Sequence, residues 1–304
     1  MKRPAIIWFF SIMAVAPAAL AHANATTAVT LQSVKTIKQK AAAGDPQAQA
    51  ELGLAYQHGR GVPRDYDKAR QWDERAAKQG NAAGEYQLGM TYYHGLGVKR
   101  DDKVAFRYIS RAARQNLSYA ENQLGYMYEY GAGTEIDNKR AFLLFEKAAK
   151  SGNPVAADNL GQMYLHGIGV ARNLNDARHW FEISASANDP GGLSNLGKLY
   201  ESGAGVDQNL AKAIALYRRS IDLGGAGGMN NLGALYYEGR GVRRNRQRAA
   251  ELFMLAVDNA GRFNRLMPKD NLKVVEADLS PSQIRAARDA ADVWMKSHKF
   301  ATKN

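Results

Sequence analysis

Cysteine is absent from the 304-residue sequence. The chain therefore has no disulfide framework and cannot carry a lipid on a cysteine. Long apolar runs are also missing beyond the first 23 residues. Because a transmembrane helix needs about 20 consecutive apolar residues, we expect no membrane span in the mature chain.

The signature motifs of several common enzyme classes are missing as well. The sequence contains no Ser-x-x-Lys, no Gly-x-Ser-x-Gly, no His-Glu-x-x-His and no phosphate-binding glycine loop. These absences remove the usual sequence signals for a nucleophile, a zinc protease or a nucleotide site. We therefore predict no catalytic residue, no metal site and no cofactor.

The N-terminus has the pattern of an export signal. Two basic residues precede the apolar run Ile6–Ala16, and the tripeptide Ala-His-Ala that ends at Ala23 fits a small-x-small cleavage site. This pattern predicts a signal peptide over residues 1–23, with the mature chain starting at Asn24. The mature protein is expected to be soluble in the periplasm of a bacterium, or secreted.

A Leu-Gly pair recurs at a constant interval of 36 residues. The leucines are Leu52, Leu88, Leu124, Leu160, Leu196 and Leu232. A tyrosine, a pair of glycines, an Asp or Asn and an alanine follow each pair in the same register. Self-similarity at this period is typical of stacked helical hairpins.

Each of these positions has a place in a hairpin. In the first unit, Ala48, Leu52 and Tyr56 share one face of a first helix. The glycine pair ends that helix and allows a tight reversal, and Asp65 is placed to cap a second helix. Gly53 is small enough to let the two helices approach within the usual range of about 8–10 Å.

The combined pattern resembles a known family. The order of Leu-Gly-x-x-Tyr, Gly-x-Gly-Val, an acidic or amide residue, alanine and a terminal Gly-Asn is similar to the Sel1-like repeat, a relative of the tetratricopeptide repeat. The resemblance covers residues 45–260, with modest departures such as Thr134 in place of valine. It implies an all-α fold, a right-handed α-solenoid of six 36-residue helical hairpin repeats that mediates protein–protein contacts.

The segments that flank the repeats are expected to cover the ends of the stack, because an open end exposes apolar surface. Residues 24–44 are predicted to form an N-terminal capping helix, and residues 280–304 a C-terminal one. Ser280 is the expected N-cap of the latter, in a capping box with Gln283. Residues 261–279 show no clear periodicity and are predicted to be an irregular linker.

The first helices of such solenoids usually line the concave side, and their face opposite the apolar stripe carries the clearest functional signal. Aromatic residues and methionine are favoured in partner-binding surfaces, and this face is richest in them in the second and third repeats. The predicted partner-binding residues are Tyr86, Met90, Tyr93, Tyr126, Gln162, Leu165 and Tyr237. For Tyr86, contact with the neighbouring repeat is the alternative interpretation.

Histidines share one position in three repeats, at His58, His94 and His166. A metal site is not predicted, because neighbouring repeats are about 8–10 Å apart whereas zinc ligands lie about 2 Å from one ion. A histidine at the end of a helix is more simply a partner for the helix dipole.

Positive charge exceeds negative charge, with a formal net charge of +12. The densest basic patch lies in the sixth repeat and consists of Arg240, Arg243, Arg244, Arg246 and Arg248. Nucleic acid is not an expected partner, since the export signal and the lack of a nucleic-acid motif argue against it. The patch either attracts anionic glycan, cell wall or headgroups, or is a solvated face that keeps the chain soluble.

These features predict a non-catalytic scaffold or adaptor in the bacterial envelope that binds a segment of an unidentified protein partner on the concave face. The alternative is direct binding of anionic cell-envelope glycan through the basic patch. An enzyme is not predicted. Some cysteine-rich relatives of the resembled family are linked to β-lactam binding or hydrolysis, but this chain has neither their cysteines nor a serine–lysine dyad.

Overall fold

The computed structural model describes residues 31–260 and 266–298, so the predicted signal peptide lies outside the described residues. Fifteen α-helices and no β-strand lie within the described part of the chain. The predicted all-α class is therefore confirmed.

The chain divides into two compact units. The N-terminal unit contains the described residues up to 156 together with 168–170, and the C-terminal unit contains 157–167 and the described residues from 171 onwards. Helix α8 (Pro154–His166) begins in the first and continues in the second. The other helices of the N-terminal unit are α1 (Leu31–Ala42), α2 (Pro46–His58), α3 (Tyr66–Lys78), α4 (Ala82–His94), α5 (Asp102–Arg114), α6 (Ser118–Tyr130) and α7 (Asn138–Lys150). Those of the C-terminal unit are α9 (Leu174–Ser186), α10 (Pro190–Ser202), α11 (Leu210–Asp222), α12 (Ala226–Glu238), α13 (Arg246–Asn259), α14 (Leu266–Glu276) and α15 (Pro281–Ser297).

Each 36-residue unit is a hairpin of two helices, and the second helix of every hairpin is capped as predicted. Before each second helix stands an Asp or Asn whose side chain accepts a hydrogen bond from a backbone amide of the first turn. The caps are Asp65, Asp101, Asp137, Asn173, Asn209 and Asn245. Each such cap typically contributes about 1 kcal/mol to stability.

The glycines of the repeat have two different structural roles. Gly59 ends α2 in the left-handed conformation, with φ of 69°, which glycine adopts without steric cost. Gly89, in the Leu-Gly pair of α4, has ordinary helical geometry but no room for a side chain. A Cβ added there would lie 2.6 Å from Cγ1 of Ile109 on α5. The Leu-Gly pair is therefore the point where the two helices of a hairpin meet, as the sequence predicted.

Apolar side chains fill each unit. In the N-terminal unit the largest fully buried residues are Leu52, Leu88, Ile109, Met127 and Phe145. In the C-terminal unit they include Phe181, Leu193, Tyr217 and Phe253. Fully burying one such aliphatic or phenylalanine side chain contributes about 1.5–3 kcal/mol.

Asp73 is an exception in this core. It occupies in the first repeat the position that Ile109 and Phe145 fill in the next two, and it is fully buried. Neither of its carboxyl oxygens has a hydrogen-bond partner within residues 31–260 and 266–298. Burial raises the pKa of Asp73 well above its ordinary value, because removal from water disfavours the charged form of the carboxyl.

Helices outside the repeats cover both ends. Val34 and Ala41 of α1 pack against the first repeat. At the other end, Ser280 and Gln283 form the predicted capping box at the start of α15, and Ala287 and Ala291 are buried against the last repeat.

The prediction of an irregular linker over residues 261–279 is wrong for its central part. Helix α14 occupies Leu266–Glu276. Val275 is fully buried, and Leu272 and Leu279 pack against the core of the last repeats. Leu272 and Val275 are three residues apart, which places them on the same face of the helix. Pro268 lies in the first turn, where proline is tolerated.

Candidate functional site

The expectation that the predicted partner-binding residues are exposed is wrong for most of them. Those that the structure buries are Tyr93, Tyr126, Gln162, Leu165 and Tyr237. Tyr86 and Met90 are half-buried. Whether any of them contacts a partner stays a prediction, but only the last two offer accessible surface of their own.

The reason for this burial is that the first helices of neighbouring repeats touch. Helix α2 contacts α4 in the N-terminal unit, and α10 contacts α12 in the C-terminal unit. The face opposite the hairpin partner therefore packs against the next repeat instead of facing solvent. Side chains from this face meet in what we call the seam between first helices.

In the N-terminal unit, tyrosines fill the seam between α4 and α6. The hydroxyls of Tyr93 and Tyr126 hydrogen bond to each other. The rings of Tyr126 and Tyr130 have centroids 4.4 Å apart. The Arg100 guanidinium lies 5.3 Å from the centroid of the Tyr93 ring, a cation–π distance. We call Tyr93, Tyr126 and Tyr130 the tyrosine cluster.

Glu129 places a carboxyl beside this cluster. The Tyr130 hydroxyl hydrogen bonds to it. Its Oε2 atom is buried and has no hydrogen-bond partner in the part of the chain that the structure describes. Burial raises the pKa of Glu129 to about 7, because a carboxylate removed from water without a nearby cation is destabilised. At neutral pH this carboxyl is therefore about half protonated.

Exposed apolar surface borders the same cluster. Tyr130 is 44% exposed and Ile136 is 64% exposed. Ile136 lies against the turn, since a Cβ added to Gly131 would lie 3.0 Å from its Cγ1 atom. Exposed aromatic and aliphatic side chains this close in the chain are typical of contact surfaces.

The position of Ile136 is polar in the later repeats, where its side chain binds a backbone carbonyl of the turn. Arg172 donates to the carbonyl of Leu165 at 3.1 Å. Gln208 donates to that of Glu201 at 2.8 Å. Because Ile136 cannot donate a hydrogen bond, the third repeat has an apolar surface where these repeats have a closed polar turn.

A second buried carboxyl, Glu201, lies in the C-terminal unit and is fully partnered. Its Oε1 atom is 3.2 Å from Lys198 Nζ and 3.1 Å from Arg240 Nη1. The hydroxyl of Tyr217 donates to its Oε2 atom at 2.7 Å. The glutamate is 1% exposed, so these contacts replace the water that burial removes.

Most of the predicted basic patch is likewise internally paired. Arg240 is bound to Glu201, Arg246 lies 3.3 Å from Asp278, and Arg248 pairs with Glu251. The Arg244 Nε atom donates to a backbone carbonyl. Only Arg243 of the five is exposed and has no ion pair or hydrogen bond to the described residues.

Metal-binding clusters and membrane-spanning helices are both absent from residues 31–260 and 266–298. No group of three or more His, Asp or Glu side chains there is arranged to hold a metal ion. None of the helices in the same ranges has the length and apolar character that crossing a bilayer requires.

The helical hairpins, their caps and their shared seams define a repeat protein of the α-solenoid class. The sequence matches the model of the Sel1 repeat six times, at residues 46–81, 82–117, 118–153, 154–189, 190–225 and 226–260. The chain therefore belongs to the Sel1 repeat family, whose members generally act as protein-interaction scaffolds.

Solved structures agree with this assignment. The chain is similar to a Sel1 repeat protein from Oxalobacter formigenes, with 28% identity and a TM-score of 0.68 over 74% of this chain and 90% of that one. It is also similar in fold to a protective antigen of uropathogenic Escherichia coli, described as displaying an SLR fold, with 22% identity and a TM-score of 0.55 over 90% of this chain and 83% of that one. No curated protein is a significant match to the sequence.

Proposed function

We propose that this protein is a non-catalytic scaffold of the bacterial envelope that binds a segment of another protein. The N-terminal export pattern supports the location. Six stacked hairpins support the scaffold role, because repeat proteins build extended surfaces for partners. The partner segment lies on the accessible side chains of the second and third repeats, Tyr86, Met90, Tyr130 and Ile136.

The observation that carries this proposal is the exposed pair of Tyr130 and Ile136 beside the tyrosine cluster. Tyrosine offers a large, rigid contact area at low entropic cost. Tyr93 and Tyr126, which the sequence suggested as direct contacts, hold Tyr130 in place from below the surface. The proposed contact residues are therefore Tyr130 and Ile136, at the accessible edge of the seam, instead of the buried Tyr93 and Tyr126.

A crosslinked pull-down tests the proposal. The full-length chain with a C-terminal tag is expressed in a bacterial host that carries partner candidates, and captured proteins are identified by mass spectrometry. The variant is Tyr130→Ser combined with Ile136→Ser. The control is Leu143→Ser, which alters an exposed apolar residue on a second helix. We expect capture by the wild type and the control but not by the variant. A partner retained equally by all three would contradict the placement.

Direct binding of anionic glycan is the second candidate function. Its support is Arg243, which lines an open depression of about 500 Å³ together with Tyr236 and Val242. The internal pairing of the other arginines weakens it. This function predicts retention on anionic cell-wall material that falls steeply with salt and that Arg243→Gln abolishes. Retention that ignores salt, or no retention, would exclude it.

A further inference from the structure

The two glutamates of the seams, Glu129 and Glu201, occupy the same position of the repeat. Glu129 is the twelfth residue of the third repeat and Glu201 is the twelfth residue of the fifth. Both lie near the end of a first helix, within α6 and α10. The protein therefore contains the same carboxyl, at the same position of the repeat, in two different surroundings.

Every partner of Glu201 is missing at Glu129. Lys198 corresponds to Tyr126, Tyr217 to Phe145, and Arg240 to Ile168. None of these replacements carries a positive charge, and neither Phe145 nor Ile168 can donate a hydrogen bond. Glu129 has the same acceptor atoms as Glu201. The third repeat, however, lacks the two cations that neutralise Glu201 in the fifth repeat.

Among the described residues of the N-terminal unit, no cation takes the place of Lys198 and Arg240. Arg100 lies over the Tyr93 ring, but its Nε and Nη2 atoms donate to the two carboxyl oxygens of Asp102, each at 2.7 Å. A bidentate pair of this kind is a strong, directional contact that holds the guanidinium in place. The other groups that interact with Glu129 are the hydroxyls of Tyr126 and Tyr130.

We propose that a lysine or arginine side chain of the bound partner supplies the missing cation, pairing with Glu129 and lying against the exposed ring of Tyr130. This inference rests on the proposed function, because it names the chemistry of the segment that the scaffold binds. It assigns to the partner the role that Lys198 and Arg240 play inside the C-terminal unit.

An organic cation fits this site better than a metal ion does. A single carboxylate beside aromatic rings is a poor set of ligands for a divalent cation, which takes several oxygen atoms. Aromatic faces instead attract ammonium and guanidinium groups within about 6 Å of the ring centroid. The exposed edge of Tyr130 and the apolar Ile136 would also cover the aliphatic stem of such a side chain.

The test uses short probes whose only difference is the charge. Blocked Gly-Lys-Gly is compared with blocked Gly-norleucine-Gly, which has an aliphatic side chain without the amine. Binding to the full-length tagged chain is followed at pH 8 by the NMR signal of the Glu129 carboxyl carbon. That signal is assigned by its loss in Glu129→Gln. We expect the lysine probe to bind about tenfold more tightly, as an ion pair with a cation–π contact would allow.

Two variants make the outcome decisive. In Glu129→Gln the preference for lysine should disappear, as judged by the tyrosine ring signals. In Glu201→Gln, which changes the equivalent position of the C-terminal unit, it should persist. Equal binding of both probes by the wild type would overturn the proposal, and so would a lysine preference that survives Glu129→Gln.

The pull-down separates this inference from the proposed function. A partner that Glu129→Gln loses and Leu143→Ser keeps supports both. A partner that Glu129→Gln keeps but the Tyr130 and Ile136 double variant loses leaves the scaffold intact and overturns the cation site. If the wild type captures no protein, the scaffold proposal fails, and the tripeptide comparison alone decides whether Glu129 accepts a basic group.

Discussion

Glu129 and Glu201 place the same position of the repeat in two different surroundings. In the C-terminal unit Glu201 is surrounded by two cations and a tyrosine hydroxyl. In the N-terminal unit Glu129 has tyrosine rings around it and one carboxyl oxygen without a partner in the described residues. The fold is the same in both places. Under the proposed function, the repeat that departs from its neighbours at this position is the one that binds the partner.

Removing the negative charge of Glu201, which is paired with two cations, should have the largest effect on stability. Glu201→Gln leaves Lys198, which is buried, without its counter-charge. Removing one member of a buried ion pair typically costs about 3–5 kcal/mol. We expect a loss of about 3 kcal/mol in the free energy of unfolding, measured by urea denaturation at pH 7. A change below about 1 kcal/mol would show that water already reaches the pair.

Removing the carboxyl of Asp73, in the first repeat, should instead increase the free energy of unfolding. Asp73→Ile restores the residue type of the second repeat and eliminates a buried group whose hydrogen bonds are unmade, a gain of about 1–3 kcal/mol at pH 7. The raised pKa of Asp73 means that the wild type loses stability as pH rises above the unfolded value of about 3.9. The gain should therefore shrink towards pH 4. An equal gain at both pH values would show that packing, not ionisation, is responsible.

Glu129→Gln should stabilise the chain more weakly, by about 1 kcal/mol, because Glu129 is only half-buried. The folded pKa of about 7 lies above the unfolded value of about 4.3. The contribution of Glu129 to stability is therefore fully present below pH 4.3 and is lost as pH rises from there through 7. Thermal unfolding at pH 4 and pH 8 checks this, with the variant's advantage expected only at pH 8. Destabilisation at pH 8 would mean that the carboxylate has a cation.

Tyr130→Ser should have the smallest effect on stability and still matter for binding. The equivalent position of the fifth repeat is Ser202, and substitutions of exposed residues usually change stability by less than about 0.5 kcal/mol. We expect unfolding to be almost unchanged while capture of the partner falls. A stability loss above about 1 kcal/mol would instead assign Tyr130 to the core.

The sequence predicted the repeats better than it predicted the site. The register of Leu52, Asp65 and their equivalents gave hairpins, turns and caps, because those features depend on residues close together in the chain. Exposure was misjudged for Tyr93 and Tyr126, because it depends on how closely first helices of successive repeats approach. Helix α14 was missed although Leu272, Val275 and Leu279 already had helical spacing.

Glu129 lay on the face that the sequence pointed to, but nothing in one repeat distinguished it. What distinguishes Glu129 is its burial and the lack of the cations that Glu201 has. Comparing the same position across repeats, residue by residue, would have found this signal. Aligning Lys198 with Tyr126 and Arg240 with Ile168 already shows that the two positive charges are missing.

The most direct test of the account is an NMR titration of the Glu129 carboxyl carbon in the free protein between pH 4 and pH 9. A carboxyl that is buried without a cation should titrate with a midpoint near 7, in line with the raised pKa. A midpoint between about 4 and 5, the range of ordinary glutamates, would show that Glu129 is already solvated or paired. That result would contradict the proposal that a positive charge of the partner pairs with Glu129.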